Sequence, residues 1–224
     1  MAAFPIILFL FLGTLVVGVL IWGYLAAKKR REAFQALARQ LGLRYVERDD
    51  FILTRYGFLN RLRQGENRYA FNVLQGQYEG HPVKIFDYHY ETRSTGAKGQ
   101  RRTHHHYFSF FILEHDREFP ELLIYPEGIL SKLGQLLGFE DIDFESVEFS
   151  RAFVVKCKDK KFAYDVCHAR MMEYLLAHRD LSIEIDGKCV ALSFSYCLDP
   201  VEIPVRLKQL VEIRDLFPAY LYRS

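Results

Sequence analysis

Residues 4–27 form an unbroken apolar run, FPIILFLFLGTLVVGVLIWGYLAA, and Lys28, Lys29, Arg30 and Arg31 follow it at once. No side chain before Lys28 carries a charge. At about 1.5 Å per residue, a helix over this run crosses a hydrocarbon core of roughly 30 Å, so the pattern predicts a transmembrane helix. Residues 30–42 place Phe34, Leu37 and Leu41 on one stripe and end at Gly42, which predicts a juxtamembrane helix. It either extends the span as a stalk or folds back onto the headgroups.

The period then shortens. Residues 43–46 read as a short strand, and residues 51–67 as loop with a helical turn, broken by Gly57 and Gly65. Residues 69–77 and 82–92 are aromatic and β-branched strands about the turn Tyr78-Glu79-Gly80-His81. A third strand, THHHYFSFFIL at 103–113, follows the basic loop RSTGAKGQRR at 93–102. Residues 122–125 read as another strand, before a helix carrying Ile129, Leu130, Leu133 and Leu137.

Residues 141–145 alternate acidic and apolar as a half-buried strand would, and residues 153–157 continue as strand. Asp159 is a good N-cap for one helix carrying Phe162, Ala163, Val166, Cys167, Met171, Tyr174 and Leu175. Residues 181–185 and 189–197 read as a hairpin about Asp186-Gly187. Asp199-Pro200 opens a final helical region, with Pro204 delaying the regular helix and Pro218 ending it. Strands and helices are segregated, so the expected class is α+β: antiparallel strands with helices packed on them. The expected units are an anchor at 1–29, a juxtamembrane helix at 30–42 and a domain at 43–224, with sub-halves 43–138 and 139–224.

Charge gives the span a direction. A cleaved signal has a positive start and a short apolar core, whereas here the run is long and the basic cluster lies beyond it. Lys/Arg excess marks the cytoplasmic flank, which predicts a retained single-pass anchor with its N-terminus outside and its domain in the cytoplasm. Trp22 and Tyr24 lie about one turn from the cluster, where amphipathic rings favour the headgroup region. Lys28, Lys29, Arg30 and Arg31 complete that membrane flank.

Composition narrows the class. The chain is 50% hydrophobic with 19 Phe and 14 Tyr, which predicts a packed core. Net charge is only +2 and four positive residues belong to the flank, so no nucleic-acid surface is expected. Cys157, Cys167, Cys189 and Cys197 share no CxxC spacing and read as reduced, mostly buried thiols in a cytoplasmic domain.

Leu137-Gly138-Phe139, FES at 144–146, EFSRAFVV at 148–155 and DKKFAYDVCHARMMEYLL at 159–176 together resemble a family of uncharacterised bacterial single-span membrane proteins, a domain of unknown function. The resemblance covers roughly residues 135–180. That family often has Pro before the Arg-Met-Met, where this chain has Ala169, so a softer helix break is expected here. The resemblance implies location and fold, and no reaction.

Chemistry is sparse. His104 and His106 share one face of a strand and His105 takes the other. If strands 82–92 and 103–113 pair, His89 approaches His104 and His106, giving three imidazoles of the kind that bind Zn²⁺. Alternatively they are solvated at a hairpin end, and no cofactor is expected. Arg93, Lys98, Arg101 and Arg102 make the same hairpin a basic tip suited to anionic lipid, more so when its histidines are protonated. GAKG at 96–99 lacks the phosphate-loop spacing, and no serine has a nucleophile-elbow setting. Cys167 and His168 are adjacent and point to different helix faces, and Glu140, Asp141, Asp143 and Glu145 read as a solvated face. The expected function is a non-catalytic protein whose partners are the bilayer and another protein; the alternative is a membrane-tethered enzyme or metal-binding domain. The sequence leaves the oligomeric state open.

Overall fold

The computed structural model describes residues 3–96, 99–128 and 141–222, with side chains from residue 12 onward. Helix α1, Ala3–Leu41, is continuous over 39 residues, about 58 Å. Leu12–Leu41 contains an 18-residue window of mean hydropathy 1.3 that lies outside the folded core, as a span would. The same helix then enters that core: Phe34, Leu37 and Ala38 are buried. Residues 30–42 thus continue the span as a stalk whose end is a structural part of the domain. Gly42, with φ of +68°, lets the chain turn, and the Leu43 N–H donates to the Ala38 carbonyl at 2.8 Å, a Schellman closure.

Six strands follow: β1 Arg44–Arg48, β2 Glu66–Tyr78, β3 His81–Thr95, β4 Arg101–Pro126, β5 Phe153–Cys157 and β6 Ser182–Ser193. Every pairing is antiparallel. The 26-residue β4 is the axis. One of its edges pairs with β3 over Arg101–Leu113 and then with β5 over Leu122–Pro126; the other pairs with β6. The strands expected at 103–113 and 122–125 are therefore one. The polar stretch Glu114–Glu118 resembles a loop in sequence, yet it stays extended and takes up the register shift against β6. The expected hairpin at Asp186-Gly187 is absent too. Gly187 sits opposite Phe119 inside continuous β6, with φ of +56°. A bulge needs positive φ as much as a tight turn does, so Asp-Gly signals either.

Alternation along the strands fills two cores. Leu74, Val83, Ile85, Phe111, Leu113, Leu122 and Ile124 face the larger one, shared with the end of α1 and with α3 Val147–Ala152, α4 Lys160–Val166, α5 Ala169–Ala177 and α6 Ile203–Asp215. Phe86, Tyr88, Phe108, Phe110 and Ile112 face the smaller one, closed by α2 Phe51–Tyr56 and a 3-10 turn at Asn60–Arg63 through Ile52, Tyr56, Leu59 and Leu62. The fold is α+β, with an N-terminal apolar helix followed by an antiparallel sheet and its helices.

The caps work locally. Asp159 accepts from the Phe162 N–H at 3.0 Å, and Asp199 and Glu202 form a reciprocal box before α6. The helix expected over 159–176 breaks at Cys167 and His168, whose backbone leaves the helical region, and His168 Nε2 bonds the Leu216 carbonyl at 2.8 Å. Residues 141–145 form a single bridge, Asp141 to Lys156, in place of the expected strand. The helix expected from Ile129 to Leu137 lies outside the described residues.

If the end of α1 belongs to the core, Phe34→Ala costs about 3–5 kcal/mol. Denaturant titration of the full chain in detergent reads this as a lower midpoint, whereas Leu25→Ala, on the exposed span, leaves the midpoint unchanged. A wild-type midpoint for Phe34→Ala contradicts the assignment.

Candidate functional site

The feature that joins helix to sheet is Asp87 on β3, a carboxylate with no solvent exposure. Position 87 continues the buried parity of Val83 and Ile85, so the carboxylate faces α1. Arg30 meets it as a fork, Nε to Oδ2 and Nη2 to Oδ1, both at 2.8 Å. Asn72 Nδ2 of β2 donates at 2.9 Å and Ser109 Oγ of β4 at 3.0 Å. Ser109 Oγ in turn accepts from the Leu198 N–H at 2.9 Å. Burial, then Asp87, push the neighbouring Cys197 thiol up to about 12. A buried carboxylate is stable only when paired and bonded in this way. Beside it Arg31 pairs with Glu47 of β1. Two of the four flank cations therefore serve the domain, while Lys28 lies 3.9 Å from Glu32 on its own helix. Trp22 and Tyr24 are exposed on the span, as an interfacial pair would be.

Pairing also fixes a direction. Gly42 and Leu43, just past α1, lie against Gly76, and Gly76 pairs with Val83. Arg30, further up the helix, meets Asp87. Moving along β3 from Val83 to Asp87 is therefore moving along α1 toward the apolar run. Strand β3 continues to Thr95, eight residues on, about 26 Å. The β3–β4 hairpin thus projects past the clamp on the side of the span.

Its two faces differ. On the face shared with α1, His89 Nε2 lies 3.1 Å from His105 Nδ1, and His105 Nδ1 lies 3.5 Å from Glu91 Oε1. Tyr69 and Tyr107 pack against His89 with tilted rings, each with centroids 4.6 Å away. His104 and His106 point to the opposite face, bonded to Ser94 Oγ at 2.9 Å and Thr92 Oγ1 at 2.8 Å. The expected trio of His89, His104 and His106 is thereby divided. His89 pairs with Tyr107, and that register puts it with the odd-numbered residues of β4. His106 stacks on Tyr90 at 4.5 Å, and burial, then His104 and Arg61, hold its pKa below the usual value. Toward the tip, Arg93 lies 3.1 Å from Glu66, Arg101 and Arg102 are exposed, and Lys98 lies outside the described residues.

Two titratable groups that periodicity does not reveal lie far from the span. Glu184 of β6 is buried and accepts from the Asn60 and Arg61 N–H groups; burial raises its pKa from 4.5 to about 8. It therefore works as a neutral brace for the 3-10 turn. His115 lines an open groove of about 980 Å³ with His81, Arg214 and Tyr222. Burial, then Arg214, lower its pKa from 6.5 to about 4.

Opposite pH limbs follow. The stability that depends on neutral His115 is complete above pH 6.5 and is lost as pH falls toward about 4. The stability that depends on protonated Glu184 is complete below pH 4.5 and is lost as pH rises toward about 8. Each limb is worth a few kcal/mol by linkage. Between pH 4.5 and 6.5 the two slopes oppose one another, so in denaturant midpoints His115→Asn makes stability fall more steeply with rising pH over that interval than in the wild type, and Glu184→Gln removes the fall between pH 6.5 and 8. Midpoint profiles of the two variants that parallel the wild type contradict the assignments.

No protein-family model and no curated protein matches this chain. Among solved structures, the crystal structure of the mycobacterial trehalose monomycolate transport factor A, TtfA, is similar over 85% of this chain and 93% of that one, with 14% identity and a TM-score of 0.63. The likeness is one of fold: both chains share this α+β architecture.

Proposed function

We propose that this protein is a non-catalytic, membrane-anchored accessory protein whose domain rests on anionic lipid headgroups through the β3–β4 hairpin. The carrying observation is the hairpin's direction. It runs on past Arg30–Asp87 toward the span and ends in Arg93, Arg101 and Arg102. Each basic residue near an anionic surface is worth about 1 kcal/mol, and the tether keeps the local lipid concentration high. In this reading the Lys28–Arg31 flank faces the cytoplasm, the N-terminus lies outside, and the membrane is the inner one of a bacterium. A fold likeness to a transport factor supports an accessory role. The resemblance of residues 135–180 to uncharacterised bacterial single-span membrane proteins belongs to the same proposal. Burial, then His104 and Arg61, lower the pKa of His106, so it adds less charge to the contact than a freely solvated imidazole would.

The test uses the full chain in nanodiscs, with a fluorophore on Thr95→Cys and quenchers on the headgroups. Quenching is expected to be strong on phosphatidylglycerol-containing discs and weak on phosphatidylcholine. Reversing Arg93, Arg101 and Arg102 to Glu removes the difference, since about 1 kcal/mol per residue amounts to well over tenfold in occupancy. Equal quenching on both lipids, or in the reversed variant, contradicts the headgroup contact.

A further inference from the structure

We propose that His89 Nε2, His105 Nδ1 and a carboxylate oxygen of Glu91 form a binding site for a zinc-class divalent cation at the foot of the hairpin. The site goes beyond the headgroup contact and does not depend on it.

The donor atoms of these three residues lie within 4.8 Å of one another. With bonds of about 2.05 Å, the 3.1 Å between His89 Nε2 and His105 Nδ1 subtends about 98° at a metal, and the 3.5 Å between His105 Nδ1 and Glu91 Oε1 about 117°. These angles bracket the tetrahedral value of about 109°. Two imidazoles and one carboxylate suit zinc rather than calcium or magnesium, which prefer oxygen alone.

The surroundings are built as a ligand shell would be. Asn67 serves two donors at once. Its backbone carbonyl lies 3.1 Å from His89 Nδ1, and its side-chain Nδ2 donates to Glu91 Oε2 at 2.8 Å. A carbonyl only accepts, so His89 carries its proton on Nδ1 and turns a free lone pair on Nε2 toward His105. Asn67 reaches this position with φ of +48°, a left-handed conformation uncommon outside glycine. One strained residue thus fixes the tautomer of one ligand and aims the other.

Without metal, the same geometry makes His105 Nδ1–H the donor to His89 Nε2. Binding moves that proton to His105 Nε2 through solvent and frees Nδ1, so both nitrogens ligate with no net proton released from the pair. His89 is buried, whereas the His105 side chain is 53% exposed and that of Glu91 is 16% exposed. The cation therefore enters from the His105 side, and one coordination position stays open to water. His104 and His106, on the other face, take no part.

The experiment uses the full chain in detergent, stripped with chelator and titrated with Zn²⁺ against a chromophoric competitor, then with Co²⁺. Expected are one equivalent of zinc and the visible absorption of tetrahedral cobalt. Glu91→Gln and His105→Ala each weaken zinc binding at least tenfold. Asn67→Gly, which keeps the left-handed backbone and removes the amide, weakens it about tenfold. The His104→Ala/His106→Ala double variant binds as the wild type does. Circular dichroism of the metal-free variants confirms that the exposed His105 and the near-isosteric Glu91→Gln leave the fold intact. No saturable uptake by the wild type overturns the site. So does uptake unchanged in Glu91→Gln and His105→Ala, or uptake lost in the His104/His106 variant.

Discussion

A carboxylate sealed from water dictates how this chain is put together. Ionised and alone, Asp87 would destabilise the fold by several kcal/mol, so a cation must come to it. The cation is Arg30, three residues past the end of the apolar run, and it arrives as a two-bond fork. Asn72, Ser109 and, through Ser109, the Leu198 amide complete the node. One carboxylate thereby collects α1, β2, β3, β4 and the segment after β6. Phe34 in the core, one turn further on, stops the helix from pivoting about that point. The domain is therefore an extension of the anchor, in one orientation, rather than a body on a loose tether.

Orientation gives the histidine-rich hairpin its meaning. The hairpin leaves the core at Asp87 and runs on past the Arg30 clamp, on the side of the apolar run of α1. Alternation then gives one tract two surfaces. His105 joins His89 and Glu91 beside the helix. His104 and His106 face away, with His106 stacked on Tyr90 near Arg61. The basic tip lies beyond both. A contact made at the tip is relayed to α1 through paired strands, without an intervening flexible segment among the described residues.

Much of this is legible in the sequence where the signal is local. The long apolar helix declares itself by its unbroken apolar run, the β2–β3 hairpin by Glu79-Gly80, α4 by Asp159, and the start of α6 by Asp199-Pro200 and Pro204. Signals fail where one residue pattern serves two geometries. Glu114 to Glu118 is polar enough for a loop yet belongs to a strand that is paired on either side of it, with β3 up to Leu113 and β6 up to Glu114, then with β6 from Phe119 and β5 from Leu122. Asp186-Gly187 marks positive φ, and only the partner strand shows that it is a bulge. The ligand set turns on parity: a register shift of one residue moves His89 from His104 and His106 to His105, while Glu91, two residues along the same strand, shares the face of His89 in either register. Asp87 could have been suspected, because an acid on the buried parity of an aromatic strand needs a bonded partner, but nothing in the sequence singles out Arg30 among the basic residues.

The central claim is that Arg30–Asp87 fixes the hairpin relative to the membrane helix. Electron–electron distance measurement between nitroxides at Gln35→Cys on α1 and Thr95→Cys on the hairpin, in nanodiscs, tests it most directly. One narrow distance distribution is expected, broadening when Asp87→Ala removes the clamp. A broad distribution in the wild type, or a narrow one that survives Asp87→Ala, contradicts the account.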